Sequence, residues 1–122
     1  MGQQLRLVSV MYYVYMLLCS DESLYTGITP NLQRRMRQHM GQLKGGARYT
    51  ALRPPKELVA LWSAPDRGTA SKAEYAIKHL TAERKRLLIA SPQALDEFLN
   101  REEPLPVTAM DCPKLQELLK NE

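Results

Sequence analysis

The sequence predicts one mixed α/β (α+β) domain of three strands and several helices, and three observations carry that expectation. "MYYVYMLL" and "LYTGI" are rich in aromatic and aliphatic residues and bracket the turn-forming "SDES". "ELVALWS" alternates like a further strand. From Thr69 almost to Asn100 the pattern is helical. A chain of 122 residues that is 44% hydrophobic fits a single core.

The first two segments read as a hairpin, with Tyr13 and Tyr15 on one face of their strand. Thr29 followed by Pro30 suits a helix start, cap then first-turn proline, and the helix should run to about Met40 before Gly41. Its apolar stripe is Leu32, Met36, Met40 and Leu43; His39 falls inside it and Arg35 at its edge. An arginine facing inward demands a partner. "GQLKGGARYTALRPP" (41–55) reads as a basic, glycine-rich loop.

After the third strand, "APDRG" is a stop. Two starts compete for the next helix. Ser71 with Glu74 three residues on matches a capping box, which would make Glu74 structural. With Thr69 as the cap, Glu74 would instead flank the stripe of Ala70, Ala73, Ile77 and Leu80, free to face a cleft. Thr81 and Ser91 can cap later helices. Residues 101–122 form an acidic, proline-containing tail with a short amphipathic helix at "PKLQELLK", appended to a body spanning 1–100.

Composition narrows the function. No apolar run is long enough for a membrane span, and the default is a cytoplasmic protein. Cys19 and Cys112 lie far apart and read as incidental thiols, and two histidines leave no His/Cys zinc set. Residues 1–95 carry 14 Lys and Arg against 6 Asp and Glu, net +8, whereas 96–122 carry 3 against 7, net −4. From Arg34 to Lys56 there is no carboxylate at all. Such a block suits a polyanion, most commonly nucleic acid; a solvated basic face explains the charge equally well.

One constellation goes further. "YVY", then "YTG" after nine residues, then Arg35 with His39 in "RMRQH", then Glu74 in "KAEYAIKHL" resemble the GIY-YIG nuclease superfamily, in particular its small stand-alone bacterial branch. "GGARYTALRPPKELV" is also similar to the matching stretch of that branch, so the likeness covers roughly residues 12–90. Tyr13 stands where the family name has glycine.

The resemblance implies a small three-stranded sheet flanked by helices, with residues 1–100 as the nuclease-like domain. It implies an active site of Tyr15, Tyr25, Arg35, His39 and Glu74, with Gly27 shaping the second triplet. The implied activity is metal-dependent DNA endonuclease cleavage in repair, recombination or processing of DNA. Glu74 would hold one Mg²⁺ or Mn²⁺, since magnesium commonly takes only one or two carboxylates plus water and phosphate.

Arg35 offers a forked donor to phosphate oxygens. A tyrosine serving as general base needs positive charge nearby, which Arg35 and the metal would supply; the sequence does not choose between Tyr15 and Tyr25. His39 would bond a tyrosine or phosphate or assist proton transfer, and a satisfied core histidine is the ordinary alternative. Lys44, Arg48 and Arg53 suit phosphate contacts, and Tyr49 suits either base stacking or loop anchoring.

Each residue alone has a bland explanation, cross-strand packing for the tyrosines and a buried ion pair for Arg35 with Glu74. Their joint order and spacing favour the nuclease. A non-catalytic nucleic-acid-binding module and an accessory protein recruited by a partner through the tail are the alternatives.

Overall fold

The computed structural model describes residues 10–99 and 101–120. Strands β1 (Tyr12–Cys19), β2 (Leu24–Thr29), β3 (Pro55–Ala64) and β4 (Thr108–Ala109) form one antiparallel sheet in the order β2-β1-β3-β4. The mixed α/β class is as expected. The sheet nevertheless has four strands rather than three, because two residues of the tail pair with Trp62 and Ser63. A pairing that short leaves no periodicity to read.

Among the described residues, six α-helices flank the sheet: α1 (Leu32–His39), α2 (Arg48–Leu52), α3 (Arg67–Lys78), α4 (Ala82–Ala90), α5 (Leu95–Phe98) and α6 (Leu115–Leu118). Alternation along β1 divides the apolar side chains between two layers. Val14 and Met16 face a cluster with Trp62, Ala70, Ala73, Ile77 and Leu88, the inner stripe of α3 and α4. Tyr15 and Leu17 face the opposite cluster with Met36, Leu58, Leu61 and Leu115, under α1 and α6. A register shift in β3 between the partners of Met16 and Leu17 turns Leu58 to the same side as Leu61.

Thr81 caps α4 as expected, accepting from the Arg84 amide at 3.2 Å, whereas α1 and α3 start elsewhere than expected. Thr29 is claimed by the strand, where it pairs with Tyr13, so the cap of α1 falls to Asn31, whose side chain accepts from the Arg34 amide at 3.0 Å. Pro30 precedes the cap instead of opening the helix. Likewise α3 begins at neither Thr69 nor Ser71. Asp66 is its cap, accepting from the Thr69 amide at 2.7 Å, and a carboxylate there also suits the helix dipole. Ser71 and Glu74 therefore both lie inside the helix, and the capping-box reading of Glu74 is excluded.

At its far end α1 closes as expected before Gly41. The Gln42 amide returns to Arg37 O at 2.8 Å and the Gly41 amide to Gln38 O at 3.1 Å, while Gly41 takes φ +81. That is a Schellman ending, and its left-handed residue favours glycine. The segment 41–55, expected to be wholly loop, contains the single-turn helix α2.

Tail side chains are part of the body's packing. Leu115 is 6% exposed, and Leu118 and Leu119 pack on the same cluster as Tyr15, so the leucines of α6 are engaged within the chain. Replacing Leu115 by Ala should lower the unfolding free energy by about 2–3 kcal/mol, the range for a buried leucine at a core margin. Urea denaturation against a control at exposed Gln116→Ala checks it.

Candidate active site

The register of the hairpin builds the centre of the site. Tyr15 lies opposite Gly27, and Tyr25 opposite Leu17, so both phenols stand on the α1 side of the sheet. A Cβ at residue 27 would fall 2.5 Å from Tyr15 Oη and 2.7 Å from Cζ. The Tyr15 ring thus lies across the bare backbone of Gly27, and only glycine leaves it that room. The two tyrosine rings are 6.3 Å apart, centroid to centroid.

Helix α1 delivers His39 into the same space. Its ring is edge-on to Tyr25 at 5.1 Å and to Tyr15 at 5.6 Å, with its side 4% exposed. The Tyr15 hydroxyl and His39 Nε2 are 2.7 Å apart, while His39 Nδ1 lies 2.8 Å from the Thr50 hydroxyl. Thr50 in turn donates to Ala47 O at 3.1 Å. Among the described residues no buried side-chain nitrogen or oxygen lacks a partner.

Arg35, one turn before His39, is half-buried. Its Nη1 donates to Gln38 Oε1 and to Gly45 O, both at 2.8 Å, which supplies the partners its inward position demands. The buried pair with Glu74 weighed from sequence is not formed. Burial works against the Arg35 charge, but the phenols of Tyr15 and Tyr25 outweigh it and hold the guanidinium ionised.

Glu74, on α3, is 24% exposed and meets only Lys78, at 3.2 Å. Its negative charge is nonetheless felt at Tyr15. No bond joins Glu74 to the tyrosines, and its helix packs its inner stripe into the opposite layer.

Arg35 alone does not favour a Tyr15 phenolate: burial, then the neighbouring Tyr25, raises the Tyr15 pKa well above its ordinary value against the pull of Arg35. His39 is pushed the other way, down to about 4, by burial and then by the Arg35 charge. At neutral pH the pair is an un-ionised phenol bonded to an un-ionised imidazole.

The basic segment contributes unevenly. Tyr49 packs on Tyr25 at 5.6 Å and under Arg53 at 4.4 Å, and Arg53 pairs with Asp21 at 3.1 Å. Lys44 and Arg48 are exposed and outside this cluster. Sequence reasoning missed Thr50, Gln38 and Asp21. Thr50 carried no periodic signal, standing in a stretch read as loop.

No group of three His, Cys, Asp or Glu side chains among the described residues could cage an ion. A single accessible carboxylate whose only tie is an exposed lysine fits the magnesium mode in which phosphate and water complete the shell.

Residues 11–87 match the GIY-YIG catalytic domain, and the chain belongs to the GIY-YIG nuclease family. Within it the chain is 48% identical over 82 residues to a UPF0213 protein of Desulfotalea psychrophila, covering 67% of this chain and 74% of the relative. It is 40% identical over 91 residues to the UPF0213 protein YhbQ of Escherichia coli, covering 73% and 87%. A solution NMR structure of a UPF0213 protein from Bacillus halodurans is similar at 34% identity, covering 66% of this chain and 83% of that one, with a TM-score of 0.43. No helix among the described residues is long and apolar enough to cross a membrane.

Two outcomes test the geometry. Gly27→Ala must push the Tyr15 ring off His39, at a cost of about 1–3 kcal/mol in urea unfolding, as for other overpacked sites. The second concerns acid. His39, faced by Tyr15, Tyr25 and Arg35, has a folded pKa of about 4 against 6.5 unfolded, so the unfolded chain takes up its proton first. Stability is thus complete above the unfolded value and falls as pH drops toward 4, by roughly 3 kcal/mol in all. His39→Gln should flatten that part of the slope in unfolding curves at pH 7 and 4.5.

Proposed function

We propose that this chain is a metal-dependent endonuclease that hydrolyses DNA phosphodiester bonds, acting in DNA repair, recombination or DNA processing in the cytoplasm. The observation that carries this reading is the buried Tyr15–His39 bond at 2.7 Å, beside Tyr25 and Arg35 and within the field of Glu74. A structural tyrosine pair would not need an arginine turned inward beside it.

The chemistry follows from the neutral pair. As water attacks phosphorus, its proton passes to Tyr15 Oη while the Tyr15 proton moves to His39 Nε2, so no free phenolate has to exist. The bond from phosphorus to the leaving oxygen breaks, and that oxygen takes a proton from solvent. Arg35 donates to the phosphoryl oxygens as they gain charge. Tyr25, on the same face, orients the water or the phosphate.

Glu74 would hold the divalent ion, Mg²⁺ or Mn²⁺, whose Lewis acidity would stabilise the charge on phosphate. Lys44, Arg48 and Arg53 bind the flanking phosphates, a contact that weakens with salt. Tyr49, engaged by Tyr25 and Arg53, serves as the loop anchor.

The test is cleavage of labelled single-stranded, duplex and branched DNA with and without Mg²⁺ or Mn²⁺. Tyr15→Phe, Tyr25→Phe and Glu74→Ala should each reduce turnover at least about 100-fold with DNA affinity retained. Tight, salt-sensitive binding without cleavage of any substrate would sink the proposal in favour of a binding module.

A further inference from the structure

Thr50 lies outside the residues assigned to the reaction, yet it is 1% exposed and bonded to His39. The direction of its bonds follows from proton counting. Ala47 O can only accept, so the single proton on the 3.1 Å contact is the Thr50 hydroxyl's own. That hydroxyl has no second proton for His39, and its oxygen can only accept across the 2.8 Å contact. Nδ1 must then carry the imidazole proton. The opposite polarity would give up the Thr50 bond to Ala47 O and set two oxygens 3.1 Å apart with no proton between them, leaving Ala47 O only the Ala51 amide.

We infer that Thr50 is a positioning residue: by accepting from His39 Nδ1 and donating to Ala47 O, it holds the imidazole in the Nδ1–H tautomer and leaves Nε2 bare toward Tyr15. Its catalytic consequence rests on the proposed nuclease reading. In the other tautomer Nε2–H would donate to Tyr15, and His39 could not receive the tyrosine's proton. The low proton affinity of buried His39 keeps it to one N–H, so the choice of tautomer is a real one.

The short helix carrying Thr50 is itself held from both ends of the loop. Ala51 and Arg53 amides close its turn on Ala47 O and Tyr49 O. Tyr49 packs on Tyr25, and Arg53 reaches Asp21. The glycine-rich segment thereby contributes a support for a helix residue eleven positions earlier.

Nitrogen-15 spectra of the histidine rings in the full chain test the assignment, with His79→Gln identifying the His39 signals. Expected in the native chain and in Thr50→Ser is a protonated Nδ1 with a bare Nε2; Thr50→Val should populate Nε2–H. Cleavage at saturating DNA should fall at least tenfold in Thr50→Val, toward the roughly 10⁴-fold loss known for a base held in the wrong tautomer. Serine should restore it, with DNA affinity unchanged throughout.

A protonated Nε2 in the native chain would overturn the inference even if the valine variant fails to fold. So would a valine variant with native spectra and native turnover. A native chain that cuts no DNA defeats the nuclease reading instead, and its ring signals still decide the role of Thr50.

Discussion

Tyr15 is 1% exposed as a residue, and its hydroxyl finds a partner within the protein in His39 Nε2 at 2.7 Å. Much of the architecture serves this one contact. Gly27 gives up its side chain so that the phenol can lie across β2. Met36, buried three residues before His39, seats α1 against Leu17, Leu58 and Leu61, so the histidine faces the sheet. The Schellman ending then turns the chain at Gly41 into the loop that brings Thr50 behind the imidazole.

Charge is arranged around that contact without entering it. Arg35 is pinned by Gln38 and Gly45 and lies close enough to lower the proton affinity of His39. Glu74 acts from α3, whose inner residues Ala70, Ala73 and Ile77 pack on the other face of the sheet. Arg35 and Glu74 therefore stand on helices of different layers. Their separation depends on how both layers grip the sheet, so core packing and electrostatics are the same problem here.

What the sequence revealed has a physical pattern. The hairpin was legible from apolar, aromatic runs around a turn, and the stripe of α1 from burial on one face, whose period also exposed Arg35 and His39 as residues on an otherwise apolar side. The motif residues Tyr15, Tyr25 and Glu74 were recognisable by their order. The caps of α1 and α3 were misjudged because Thr29 is a good cap in isolation but is needed by the strand, while Asp66 sits in what looks like a turn. Helix α2 is a single turn with one buried residue, Thr50, too short for any period to show. Thr50 matters through one oxygen, and no pattern of hydrophobicity reports an oxygen.

The resting site looks poorly suited to its proposed task, since Tyr15 holds its proton tightly and His39 accepts one reluctantly. Part of the reluctance of His39, however, comes from the unneutralised charge of Arg35. A phosphodiester bound to Arg35 would cancel that charge and add its own negative one, raising the proton affinity of His39 as the phosphoryl group becomes more negative. Substrate would thus raise the basicity of the group that takes up the Tyr15 proton. Without DNA, Tyr15 and His39 stay un-ionised and bonded to each other, whereas a permanently ionised phenolate would carry the cost of a buried charge throughout.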